Sequence, residues 1–261
     1  MSWIRLMVRG GITSYQALFG WLSPWVLVPT FVVVPIVQIL FFTLVGRSAG
    51  VGSARFYLVG NAVEYCSVPC LFAMSNVIGD ERFGQTLGLI LISPARRLPL
   101  FLGRTLPVVL NGFAVTGVAM AAGAAILGVG VPADRIPGLA LVVAVSAFSC
   151  TGLGLVTGAI GLRVRDTAVL PNILVGTLLL FCGVDVRLAR LPHWMAAIAH
   201  WLPLTHGIAA ARDVFDGGSL ASAGGLLGRE VALGVGYLAL GLVGLFVFER
   251  ESRRLATLER Y

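Results

Sequence analysis

A chain of 261 residues that is 57% hydrophobic and 12% charged, with a mean hydropathy of +0.93, cannot bury its apolar side chains inside one water-soluble globule. The sequence is that of an integral membrane protein. Its 19 basic residues are all arginine and outnumber 12 acidic ones, giving a net charge of +7. No basic stripe is interleaved with stacking aromatics, so the excess fits an anionic membrane surface and not a nucleic acid.

The first 22 residues do not read as a secretory signal, because Arg5, Arg9, Gly10, Gly11 and Gln16 break the apolar run and no A-x-A-like site follows. Trp3, Tyr15, Trp21 and Trp25 suit the headgroup zone, so 1–22 is expected to lie flat as an interfacial helix before a turn at Ser23 and Pro24. Six apolar stretches follow, at 24–45, 56–78, 105–131, 136–162, 168–184 and 231–248. Each approaches the roughly 20 residues that a helix needs to cross about 30 Å of hydrocarbon, and none alternates as a barrel strand would. The expected fold is all-α, with six transmembrane helices in one membrane domain over 1–261.

Arginine placement orients the spans. With both termini in the cytoplasm, Arg5, Arg9, Arg82, Arg96, Arg97, Arg104, Arg163, Arg165, Arg250, Arg253, Arg254 and Arg260 lie inside, against seven arginines in outer loops. The cytoplasmic side then includes a charged, glycine-punctuated segment at 81–93. Phe83, Leu87, Ile90 and Leu91 recur there at helical spacing, and Ser93-Pro94 ends it. Such a segment at a membrane face is a docking surface for a soluble partner.

The region 185–230 is too polar to span and too apolar for open water. Pro192, Trp194, Trp201 and Pro203 surround a short helical pattern, and a hairpin-like pair of short helices dipping partway into the outer leaflet is expected. His193, His200 and His206 are spaced by seven and six, which matches no standard ligand pair, so no metal site is assigned. Cys66, Cys70, Cys150 and Cys182 all fall in apolar spans and read as packing residues. Gly154 with Gly158, and Gly234, Gly236, Gly241 and Gly244, read as small-residue faces for helix packing.

Polar residues inside the spans are few. Gln38, Asn61, Glu64 and Asn172 are the candidates for a transport path, with Asn111 as a further polar residue. No paired carboxylates, activated nucleophile or metal cluster is visible, so no catalytic residue is assigned. Glu64 reads as the single deep carboxylate. It either lines a path or bonds a structural partner such as Tyr65 or an outer-loop arginine. A P-loop needs a lysine on the phosphates, and this chain has none, so a nucleotide motor of that type would have to be a separate polypeptide.

The run Glu81-Arg82-x-Gly84-x-Thr86-Leu87-x-x-Ile90-Leu91-x-Ser93-Pro94, followed by Arg97 and Leu102-Gly103-Arg104, resembles the signature of the type-2 ATP-binding-cassette exporter permeases, which include drug exporters of the daunorubicin type and polysaccharide exporters. A second block is similar to the same family: Arg165-Asp166, Leu170-Pro171-Asn172, Gly183, Leu191-Pro192-x-Trp194, Leu202-Pro203-Leu204-Thr205, Arg212 and Gly217. Two positions depart from it, Gly88 where the family has glutamate and Leu202 where asparagine is usual. The resemblance implies a permease in a bacterial-type cell membrane that exports an amphiphilic, drug-like, lipid-like or glycan substrate. It also implies a coupling helix at 81–93 seated in an ATPase, a second permease copy as homodimer or heterodimer, and ATP with Mg on the partner ATPase but no cofactor in this chain. The alternatives are a membrane-embedded lipid-modifying enzyme and an ion-gradient transporter, which would show more intramembrane acid-base groups or buried carboxylates.

Overall fold

The computed structural model describes residues 25, 28–83, 97–161 and 168–255, with the side chains of 77–83, 97–104 and 248–255 left aside. Every regular element among the described residues is helical. In a bilayer this follows from the lack of water: a helix satisfies its own N–H and C=O groups within one segment. Among the described residues, five helical stretches are long and apolar enough to cross, Pro29–Ser48, Ala54–Asn76, Thr105–Leu127, Ala133–Gly161 and Leu220–Val247. The remaining expected span is a shorter apolar helix, Val169–Phe181.

Proline shapes the first two spans. A π turn, Pro29–Val33, in which Val34 N–H donates to the Pro29 carbonyl, precedes α1 (Val34–Ser48). Pro35 has no N–H to give, so the wider turn forfeits no bond at that residue. The stretch 56–78 was expected as one helix, yet α2 (Ala54–Glu64) and α3 (Ser67–Phe83) are separated by Tyr65 and Cys66. Pro69 is the cause. It lacks the N–H that would reach the Tyr65 carbonyl, and its ring crowds that group. Val68 N–H bonds the Tyr65 carbonyl instead, at 3.3 Å, and the axis breaks inside the span.

α4 (Arg97–Leu127) begins before the expected start at 105 and carries Pro107 within it. α5 (Ile136–Gly161) starts where the hydropathy places it. α6 (Val169–Phe181) has 13 residues, about 20 Å at 1.5 Å per residue, short of a perpendicular crossing. Two short helices follow as expected, α7 (His193–Ala199) and α8 (Thr205–Asp216). α9 (Leu220–Leu255) starts well before the expected 231. Gly224, Gly225, Gly228, Arg229 and Glu230 read as loop by propensity, but packing against α5 and α8 overrides it.

α5 is the hub of the bundle, packed on α9, α3, α4 and α8. It is apolar all round, as a helix surrounded by others must be. Two glycines set its closest approaches. A Cβ on Gly152 would lie 2.7 Å from the Gly234 carbonyl of α9, and one on Gly154 would lie 2.8 Å from the Cys70 carbonyl of α3, so neither site admits a side chain. Of the expected small face on α9, Gly234 and Gly241 pack on α5, whereas Gly236 faces open space. The four cysteines are buried and unpaired. The expected interfacial helix at 1–22 lies outside the described residues.

Candidate functional site

Ser53 caps α2, its Oγ accepting from Phe56 N–H, and so fixes where the helix begins. From that start Tyr57, Asn61 and Glu64 share one face at i, i+4 and i+7. Gln38 of α1 meets this face: its Nε2 donates to Asn61 Oδ1 at 3.2 Å and to Glu64 Oε2 at 2.8 Å. Asn61 Nδ2 donates to the Tyr57 carbonyl at 3.0 Å and to Asp185 Oδ1 at 2.8 Å. Ser67, three residues after Glu64, donates its Oγ to Glu64 Oε1 at 3.4 Å. Glu64 is 1% exposed, while Gln38 is half-buried and forms the cluster's outer side.

Three of the four expected path residues therefore converge. Asn172 does not join them: it is exposed on α6, with Nδ2 donating to the Ala168 carbonyl of its own helix. Neither structural partner considered for Glu64 holds it. The Tyr65 hydroxyl donates to the Thr30 carbonyl at 2.8 Å, and the nearby arginine of α8, Arg212, is engaged elsewhere.

Arg212 clips three backbone carbonyls. Nη1 donates to Gly183 at 2.7 Å, and Nη2 donates to Val184 at 2.6 Å and to Phe56 at 3.2 Å. Its guanidinium carbon stands 3.6 Å from the centroid of the Phe56 ring, a cation–π placement. Gly60 makes room for it, since a Cβ there would come 2.5 Å from Nη2. Burial pushes the Asp185 carboxyl up to about 6, against the hydrogen bond from Asn61 and the charge of Arg212. Burial likewise lowers the Arg212 guanidinium to about 10, opposed by Asp185, so both groups are charged at neutral pH.

A second buried carboxylate, absent from the expected set, sits on α9. Glu230 is fully buried and accepts from Leu204 N–H at 2.7 Å through Oε1 and from Gly207 N–H at 3.1 Å through Oε2. It closes the start of α8, where Leu204 offers no side-chain cap and has a left-handed backbone at φ 74°. That conformation is costly for a residue with a Cβ, and two hydrogen bonds from backbone N–H groups hold it in place. A periodicity signal was present: Ala223, Glu230, Gly234, Gly241 and Leu245 fall on one buried face of α9.

Of the residues expected to contact an ATPase, Glu81, Arg82 and Phe83 form the last turn of α3. Gly84, Thr86, Leu87, Ile90 and Leu91 lie outside the described residues. Among the described residues, no group of three His, Cys, Asp or Glu side chains could hold a metal ion. His200 and His206 stack with ring centroids 5.7 Å apart, and His193 takes no part in that pair.

Repeated apolar helices, one of them broken beside a buried carboxylate, are those of a multi-pass membrane protein. The family model for the ABC-2 type transporter matches residues 12–215, and the chain belongs to that family. It is a membrane permease component of an ABC transporter and not a nucleotide-binding domain. No curated protein was found to match the sequence. The matched region takes in the Glu64 cluster and Arg212 but ends before Glu230.

Proposed function

We propose that the chain is the membrane subunit of an ATP-driven exporter, moving an amphiphilic, drug-like, lipid-like or glycan molecule outward across a bacterial-type cell membrane. ATP and Mg are bound by separate ATPase subunits, and a second permease copy completes the path. The observation that carries this reading is the broken second span. α3 is a rod of 17 residues, about 25 Å long, that joins the Glu64 cluster to Phe83 at the head of the 81–93 segment. Movement of that segment on closure of the ATPase pair is passed through α3 to the polar cluster and tilts α1, α2 and α6.

Both termini are cytoplasmic, α6 is the fifth of six crossings, and α7 with α8 is the re-entrant pair on the outer side. Exposed apolar residues on α1 (Val37, Phe41, Leu44) and the exposed Asn172 and Ile173 on α6 support a second copy covering these faces, which would bring Asn172 to the path. The test is reconstitution of the chain with its ATPase in proteoliposomes. Phe83→Glu and Leu87→Glu are expected to lose ATPase co-purification and ATP-driven transport while inserting normally, because apolar anchors at an interface centre carry most of its energy. Glu64→Gln is expected to alter substrate range or rate with assembly intact. Normal ATPase binding and transport in both segment variants would overturn the coupling role.

A further inference from the structure

A cavity of about 680 Å³ lies between α9 and the turn joining α7 to α8, outside the Glu64 cluster. One end carries the polar side chains: His200, the buried His206, Trp201 and the exposed Arg229. The other is an apolar slot along α9, formed by Ala232, Leu233, Gly236 and Leu240. Tyr237 fixes the junction, its hydroxyl donating to the Trp201 carbonyl at 2.7 Å. Gly236 borders the open slot, where a Cβ would meet nothing within 4 Å.

The depth of this groove follows from α9 itself. Its uncharged stretch, 231–248, is bracketed by Glu230 and Glu249. Those residues span about 27 Å, close to the hydrocarbon thickness. Arg229 therefore stands at the boundary where lipid phosphates lie, beside an exposed Trp201 of the kind found in interfacial belts. Its neighbour in sequence does not neutralise it, because the Glu230 carboxylate is turned inward onto Leu204 and Gly207. Among the described residues no carboxylate lies within 4 Å of Arg229. Burial pushes the His206 imidazole down from its ordinary range.

We propose that this groove binds an anionic phospholipid, with its phosphate at Arg229, His200 and His206 and an acyl chain on Leu233, Gly236 and Leu240. A guanidinium with imidazole N–H groups matches a phosphate ester, and the adjoining slot matches a hydrocarbon tail. The site is separate from the polar cluster in α2 and holds its lipid independently of the molecule that the permease moves.

The test uses the full chain in vesicles containing phosphatidylglycerol or phosphatidylcholine that carries a photoactivatable group in its acyl chain, with cross-links mapped by peptide mass spectrometry. Labelling of the 232–240 peptide is expected to favour phosphatidylglycerol roughly fivefold, the factor given by about 1 kcal/mol from one exposed charge contact. Arg229→Gln is expected to bring phosphatidylglycerol down to the phosphatidylcholine level. Gly236→Leu is expected to fill the slot and remove labelling by both probes at an unchanged melting temperature. Equal labelling of the wild type by the two lipids, or no effect of either substitution, would overturn the site. Displacement of the probe by inorganic phosphate as effectively as by unlabelled phosphatidylglycerol would overturn the assignment to a lipid.

Discussion

Two buried carboxylates in one small bundle do different work, and their partners tell them apart. Glu64 accepts from two side chains, Gln38 of α1 and Ser67 of α3, both of which can rotate away. Glu230 accepts from backbone N–H groups that have no alternative partner, so its removal leaves buried donors unpaired. Glu230→Ala is therefore expected to cost about 3 kcal/mol. Glu230→Gln, which keeps one acceptor oxygen, should fall between it and the wild type in thermal unfolding in detergent. Identical melting temperatures for the three would show that α8 needs no cap. Asp185 supplies a pH test. Its carboxyl is raised from 3.8 to about 6 by burial, so the folded chain holds the proton more tightly than the unfolded one. The stability from this group is present at low pH and lost as pH rises from about 4 to about 6. Asp185→Asn should flatten that part of the melting curve against pH, and an unchanged pH dependence would rule the group out. Sequence made Glu64 visible because it interrupts an apolar run. Glu230 was hidden because Arg229 and three nearby glycines give its surroundings the composition of a loop, and only the spacing from Ala223 to Leu245 marks a buried face.

At the scale of elements, hydropathy located the apolar stretches well because the lack of water in a bilayer leaves helices little choice. The break between α2 and α3 was not read, although Pro69 is plain in the sequence. Proline is often tolerated in membrane helices when neighbours satisfy the freed carbonyl, and the sequence does not say whether the helix kinks or separates. Here the helix is interrupted at Tyr65 and Cys66. Pro69→Ala would restore the missing N–H and favour a continuous helix. The expected result is a melting temperature at or above that of the wild type with weaker coupling between ATP hydrolysis and transport. Equal coupling in the two proteins would separate the break from function. The short helices α7 and α8 were legible from the prolines and tryptophans around them, whereas the capping carboxylate that orders them comes from another helix.

For the whole molecule, the side on which each loop lies is set by the arginines and tested by labelling. In a background without the four native cysteines, a single cysteine at Arg97 or Arg254 should react only from the cytoplasm, and one at Arg190 or Asp216 only from outside. Outside reaction at position 97 would invert the bundle. The hub role of α5 was foreshadowed by its uniform apolarity, but its neighbours were not, since a helix that is oily all round does not reveal in sequence which helix meets which face.

Arg212 ties α8 to the end of α6 and to the start of α2 through one rigid guanidinium. A planar fork cannot follow two separating carbonyls by degrees, because its bonds weaken steeply once distance and angle are lost. Parting α2 from the end of α6 is thus resisted until the fork lets go, and then proceeds without it. The gap on that side should be seen either shut or open, with few molecules between: single-molecule distances across it would fall into two separate populations, and the rate of exchange between them would report the grip of one side chain.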